Sequence, residues 1–289
     1  MEISRRGFLW YVGASAAALG LSRVPLGEIE RALGSASGPP VLWLSGSACT
    51  GCSVSLLNAV NPTIDQVLQQ TISLRYHSTL MAAAGDLAVA EARSTAQAGG
   101  YILVVEGAIP TASSGRYCYV WDEGGRSVTM AEAVRSLATN ASHVVAVGTC
   151  AAYGGIPKAY ASARAVGVGR FLGRTVVNLP GCPTHPDWII GTLAQILAGK
   201  MPPLDRNGRP IAYYTSDPIH KRCPRHRSQH ASCFGQDGLC VKELGCKGPS
   251  THADCDIRGW NNSQSWCIGV NGLCIGCTEP KFPAFPLHA

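Results

Sequence analysis

Between residues 41 and 179, five short apolar runs recur: Val41–Leu44, Ile72–Tyr76, Tyr101–Val105, His143–Val147 and Thr175–Leu179. Each has the β-rich character of a strand. Helical stretches such as Met81–Ala98 and Met130–Thr139 fall between them. Strands alternating with helices predict a doubly wound parallel sheet of flavodoxin-like kind, an α/β fold.

The pattern changes after about residue 205. Cys, Gly, Pro, His and Trp dominate from His220 to Pro286, and no strand or helix there is long enough to make a core by itself. Order in that segment has to come from metal or from packing on the first domain. The expected division is residues 38–205 as the sheet domain and 206–289 as a smaller irregular, cysteine-rich domain.

At the N-terminus, Ser4-Arg5-Arg6-Gly7-Phe8-Leu9 precedes the apolar run Trp10–Leu21, and small residues within Leu33–Ser37 offer a cleavage site. Residues 1–37 resemble a twin-arginine export signal, the alternative being an ordinary amphipathic start. Export would place the mature chain in the periplasm. No other run approaches the roughly 20 apolar residues that span a bilayer, so no transmembrane anchor is expected. The formal net charge is +6; residues 1–37 hold four basic and three acidic side chains, leaving about +5 without them. That is too mild for nucleic acid, and no basic stripe with interleaved aromatics occurs.

Thirteen cysteines stand in a chain whose 289 residues and 46% hydrophobic content suffice for a core without disulfides. Cys-x-x-Cys pairs and late clustering favour metal over a disulfide scaffold. In a doubly wound sheet, the loops leaving the carboxyl ends of the strands share one edge. Cys49 and Cys52 follow the first strand, Cys150 ends HVVAVGTC and Cys182 ends VVNLPGC. Three loops thus bring four thiols to that edge, with Gly51, Gly148 and Gly181 leaving room for a bulky inorganic core. Four thiolates suit tetrahedral zinc or an iron–sulfur cluster; ligands scattered from residue 49 to residue 182 favour the cluster. Cys118, in the loop after Val104-Val105-Glu106-Gly107, is a fifth thiol near that edge or simply a buried free cysteine.

The tail offers two further sets. His220-x-x-Cys223 pairs with Cys240-x5-Cys246, and Cys255 pairs with Cys267-x6-Cys274-x2-Cys277. Zinc is the alternative for either.

The motifs ACTGCSVSLLN (48–58), VVEGAIP (104–110), VGTCAAYGGIP (147–157), NLPGCPTHPDWI (178–189), LGCKGP (244–249) and CIGCTEP (274–280) resemble the small, electron-transferring subunit of nickel-iron hydrogenases. The resemblance covers nearly all of the mature chain and implies three iron–sulfur clusters in a line. By motif, Cys49, Cys52, Cys150 and Cys182 match the ligands of the proximal 4Fe-4S cluster. His220, Cys223, Cys240 and Cys246 match the distal 4Fe-4S cluster, and Cys255, Cys274 and Cys277 the medial one. Many members have proline where this chain has Cys267 and hold a 3Fe-4S medial cluster. A fourth thiolate there implies 4Fe-4S, as in the nickel-iron-selenium branch, which Ser53-Val54-Ser55, Arg116-Tyr117-Cys118 and Trp266-Cys267 also resemble. Gly51 lies where oxygen-tolerant members place an additional cysteine, so their specialised proximal cluster is not expected. Cys233 has no assignment.

The family further implies that hydrogen is split at a nickel-iron site in an obligate large subunit. Electrons then pass through the clusters to an external carrier, with a periplasmic multihaem cytochrome c the expected acceptor. This chain holds no hydrogen-activating residue. Glu106, acidic in an apolar strand-loop context, is either hydrogen-bonded structure or part of an interface or proton route. Lys221, Arg222, Arg225 and Arg227, crowded around the distal histidine and cysteine, are a candidate docking patch for an acidic carrier. Two other classes compete: the iron–sulfur subunit of a quinone-linked dehydrogenase, which has no use for the cysteine-rich tail, and an exported disulfide-stapled binding protein, which would be colourless.

Overall fold

The computed structural model describes residues 39–283, so the export signal lies outside the described residues. Five strands form one parallel sheet: β1 (Pro40–Ser45), β2 (Ser73–His77), β3 (Ile102–Glu106), β6 (His143–Val147) and β7 (Val177–Leu179). Their order is β2-β1-β3-β6-β7. Counted among themselves in chain order, the strands run 2-1-3-4-5, the flavodoxin-like arrangement, with its switch point between β1 and β3.

Successive side chains of a strand point to opposite faces, and both faces of this sheet are covered. Trp43, Val104 and Val145 face Trp188, Ile189 and Leu193 of helix Pro186–Leu197. Leu42, Leu44, Leu103 and Val105 face Val89 and Ala92 of helix Gly85–Ala98 and Val134 and Leu137 of helix Met130–Leu137. That double burial is why the strands are apolar runs instead of alternating ones.

Local expectations shift, and one element was not foreseen. The last strand begins at Val177, not Thr175. Helix Gly85–Ala98 starts four residues after Met81, because the N–H of Met81 closes a turn onto the His77 carbonyl at 3.3 Å. An antiparallel hairpin of β4 (Tyr119–Glu123) and β5 (Arg126–Thr129), turning at Gly124-Gly125, joins β3 to the next helix. Thr129 and Glu132 close a capping box there.

Among the described residues beyond 205 there is no strand, and the helices are single turns such as Ile219–Arg222 and Cys255–Arg258. Tyr213, Tyr214, Ile219, Ala253 and Ile268 join the same core as Trp43 and Trp188. The Trp188 indole donates to Asp254 at 2.8 Å, and the buried His185 ring bonds the Gly259 carbonyl at 2.6 Å. The tail is therefore organised by packing on one sheet face as well as by whatever its thiols bind.

Candidate iron–sulfur sites

The switch point shapes the first site. Past β1 and β3 the loops continue to pair: Gly46 N–H donates to the Glu106 carbonyl, and Ser47 and Ala108 exchange backbone bonds at 3.2 and 3.0 Å. Gly107 permits this crossing, since at φ +94° a Cβ would sit 2.9 Å from Ala48. Cys49 and Cys52 follow directly, Cys52 in the first turn of helix Gly51–Leu57. Cys150 enters from helix Gly148–Tyr153 and Cys182 from the loop after β7.

These four thiols share one electrostatic neighbourhood. Burial, with Cys182 and Cys49 beside it, pushes Cys150 up to about 11. Burial and Cys49 raise Cys182; burial, then Glu106 and Cys150, raise Cys52. Gly148 keeps the centre open: its φ is +89°, and a Cβ would stand 2.7 Å from the Cys52 sulfur. Cys118 takes no part, its thiol raised by burial alone where it packs against the hairpin side of the core.

Glu106 is 2% exposed and saturated with donors. Its Oε1 accepts from the N–H of Cys52 (3.0 Å) and Ser53 (3.3 Å), its Oε2 from Trp43 Nε1 (3.1 Å) and the Ser53 hydroxyl (2.5 Å). His77, stacked on Trp43, reaches the Ser53 hydroxyl through Nε2 at 3.1 Å while Nδ1 accepts the Thr79 N–H. Ser53 gives its proton to Glu106, so His77 Nε2 carries the ring hydrogen and donates. Burial lowers His77 to about 4, keeping it neutral. This strut holding the Cys52 turn carries no motif in His77; only the strand order β2-β1-β3 brings His77, Trp43 and Glu106 together.

The second set lines a cavity of about 260 Å³ walled by Cys255, Cys267, Cys274 and Cys277 with Trp266, Ile219 and Trp260. Burial, with neighbouring thiols of the set, raises Cys255 and Cys277 well above the ordinary thiol range and Cys274 to about 11. Cys267, the one exposed thiol of the four, lines the same cavity and is likewise raised by burial.

In the third set, burial raises Cys223, with Cys246 and Cys240 adding to it. The His220 ring stands edge-on to His226 at 4.5 Å; burial and the nearby His226 lower it, favouring the neutral imidazole a metal needs. Cys233 is exposed on the intervening loop. Of the four cations expected around this set, two point inward. Arg222 grips Asp256 at 2.7 and 2.8 Å and Arg225 is buried, which leaves only Lys221 and Arg227 exposed.

The three sets adjoin in one order. Thr149 of the first site donates to the Cys277 carbonyl, and the Cys182 backbone lies close enough to the Cys277 thiol to lower it against its burial. A Cβ on Gly248 would lie 3.5 Å from the Cys246 sulfur and 3.9 Å from the Cβ atoms of Cys274 and His220. Among the described residues, no three His, Cys, Asp or Glu side chains converge closely enough for a single ion. Grouped thiols of this kind fit cationic iron, which ionises its thiol ligands.

Fold and sites together describe a flavodoxin-like chain whose cysteines gather in three adjoining groups, a donor set suited to inorganic cofactors. Residues 49–196 match the family model for the NADH ubiquinone oxidoreductase 20 Kd subunit, and residues 215–287 that for the C-terminal part of NiFe/NiFeSe hydrogenase small subunits. The small subunit of the periplasmic [NiFeSe] hydrogenase of Desulfomicrobium baculatum is 45% identical, the match covering 98% of this chain and 97% of that one. The periplasmic [NiFe] small subunit of Solidesulfovibrio fructosivorans is 36% identical over 97% of this chain and 90% of its own. The solved [NiFeSe] hydrogenase of Desulfovibrio vulgaris Hildenborough superposes with a TM-score of 0.83 at 42% identity, covering 88% of this chain and 99% of that chain. The chain belongs to the small-subunit family of nickel-iron and nickel-iron-selenium hydrogenases. It is thus the electron-transfer partner of a hydrogen-activating large subunit, in a family that works through iron–sulfur clusters.

Proposed function

We infer that the chain carries three cubane clusters and passes electrons along them in the order in which the sites adjoin. Cys49, Cys52, Cys150 and Cys182 hold the proximal cluster; Cys255, Cys267, Cys274 and Cys277 the medial; His220, Cys223, Cys240 and Cys246 the distal. When bound, such clusters accept and release single electrons at potentials set by ligands, charge and hydrogen bonds. The observation that carries the reading is the adjacency of the sets, Cys182 against Cys277 and Cys246 beside Cys274 across Gly248.

The chain's own residues do the positioning. Glu106 fixes the Cys52 turn, Thr251 bonds the Cys274 sulfur at 3.3 Å, and His185, Trp188 and Arg258 tie the medial segment to helix Pro186–Leu197 and its first turn. With five donors on its carboxylate, Glu106 is a strut of the proximal loop and not a proton carrier. Residues 38–205 and 206–289 divide as sheet domain and cluster domain. The chain is exported folded by the twin-arginine route, and electrons leave at the distal end to a periplasmic multihaem cytochrome c. The relatives named periplasmic support that location, and among the described residues no helix is long and apolar enough to cross a membrane.

Iron and acid-labile sulfide analysis of the anaerobically purified heterodimer, with electron paramagnetic resonance of oxidised and reduced samples, tests this. About twelve irons per small subunit and no oxidised 3Fe-4S signal are expected. About eleven irons with that signal would remove Cys267 from the medial ligands, and no iron would overturn the reading.

A further inference from the structure

Arg225 is a buried cation without a counter-ion. It is 9% exposed; its Nη2 donates to the Ile268 carbonyl at 3.0 Å and to Asn271 Oδ1 at 2.8 Å, both neutral acceptors. Its Nη1 is buried with no partner in the protein. Other inward-facing arginines of this region are matched: Arg222 by Asp256, Arg209 by Asp205 and Glu279, Arg258 by Asp254 and Asp187. No carboxylate pairs with Arg225 among the described residues.

A guanidinium stays charged at any relevant pH, and burying it unpaired is costly. Such an orphaned group calls for a partner from outside the protein. Arg225 lies two residues past Cys223, and its contacts at Ile268 and Asn271 wedge it between that thiol and the segment following Cys267. The Arg225 charge reaches the Cys223 thiol.

We propose that Arg225 is the built-in counter-charge of the distal cluster, a positioning residue that favours its reduced state and holds its potential above the value a neutral side chain would give. This rests on the distal assignment above. Reduction adds one electron to the cluster, and a fixed cation in a water-poor setting stabilises the more negative state more. Arg225 therefore raises the distal potential relative to the same site without its charge.

The test is a redox titration of the whole heterodimer, following the distal signal by electron paramagnetic resonance, with iron content measured on each sample. Arg225→Gln should shift the distal midpoint negative by tenfold or more in the reduced-to-oxidised ratio, 59 mV for one electron, while Arg225→Lys keeps the charge and most of the potential. Asn271 Nδ2 in turn donates to Asp237, and if Arg225→Gln does not fold, the paired exchange Asn271→Asp with Asp237→Asn decides. It moves an existing carboxylate onto the guanidinium at constant net charge, and it should shift the same midpoint negative. An unmoved midpoint in an iron-replete Arg225→Gln or paired variant overturns the proposal, as does an equal shift in Arg225→Lys. Absence of distal iron from the wild-type enzyme would instead remove the assignment on which it rests.

Discussion

Replacing Glu106 by glutamine tests whether this residue is a strut or a proton carrier. A carboxamide accepts at one atom only. If its oxygen stays with the N–H groups of Cys52 and Ser53, its NH2 meets the Trp43 indole N–H, donor against donor. The lost bond with its stranded buried donor costs about 1–3 kcal/mol, and two backbone bonds weakened from charge-assisted to neutral cost about 2 kcal/mol together. No ion pair joins Glu106 among the described residues, so discharging it recovers part of this in desolvation. The net is about 2 kcal/mol, a fall of roughly 4–8 °C in unfolding temperature for a chain of this order. The assay is thermal unfolding of iron-matched wild-type and Glu106→Gln heterodimers at one scan rate, beside hydrogen turnover. The expected result is the lowered unfolding temperature with turnover of the intact enzyme within about twofold, since one electron route is untouched. An unchanged unfolding temperature with turnover lost tenfold or more would refute the strut and make the carboxyl a proton carrier.

Cys267→Ser should convert the medial site to 3Fe-4S, seen as an oxidised-state paramagnetic signal and about one iron fewer per chain. Gly148→Ala, forced into φ +89° with a Cβ 2.7 Å from the Cys52 sulfur, should empty the proximal site, with about four irons lost and the distal signal retained. His77 predicts an acid weakness. Its folded pKa of about 4 lies below the 6.5 of the free group, so its contribution is complete above 6.5 and is lost as pH falls toward 4. The loss is about 1.4 kcal/mol by pH 5.5; unfolding measured from pH 7.5 to 5.5 should show it in the wild type and not in His77→Gln.

The sheet was legible because strands covered on both faces leave continuous apolar runs, and Val41–Leu44, Tyr101–Val105 and His143–Val147 fall on observed strands. The thiols were legible because ligand chemistry needs particular residues at particular spacings. The hairpin was missed although its signal was present, the aromatic and β-branched run Tyr119-Val120-Trp121 followed by a two-glycine turn. The Glu106 strut could not be foreseen in full: Trp43 and His77 belong to strands that become neighbours only through the fold. Counting charges around His220 misjudged Arg222 and Arg225, since the partners that turn them inward, Asp256 and the Ile268–Asn271 segment, lie more than thirty residues away in sequence.

The shared core of sheet face and tail bears on how such chains can be recombined. Family models divide the sequence near residues 197–214, which invites grafting one relative's tail onto another's sheet. Yet Trp188 lies against Tyr213, Tyr214, Trp260 and Asp254 at once. A graft that ignored this aromatic seam would leave its halves unable to solidify together, and the electron path proposed above would cross the same seam at Cys182 and Cys277. Natural exchange between lineages should therefore carry helix Pro186–Leu197 together with the tail, so that the unit of inheritance is larger than the unit of sequence similarity.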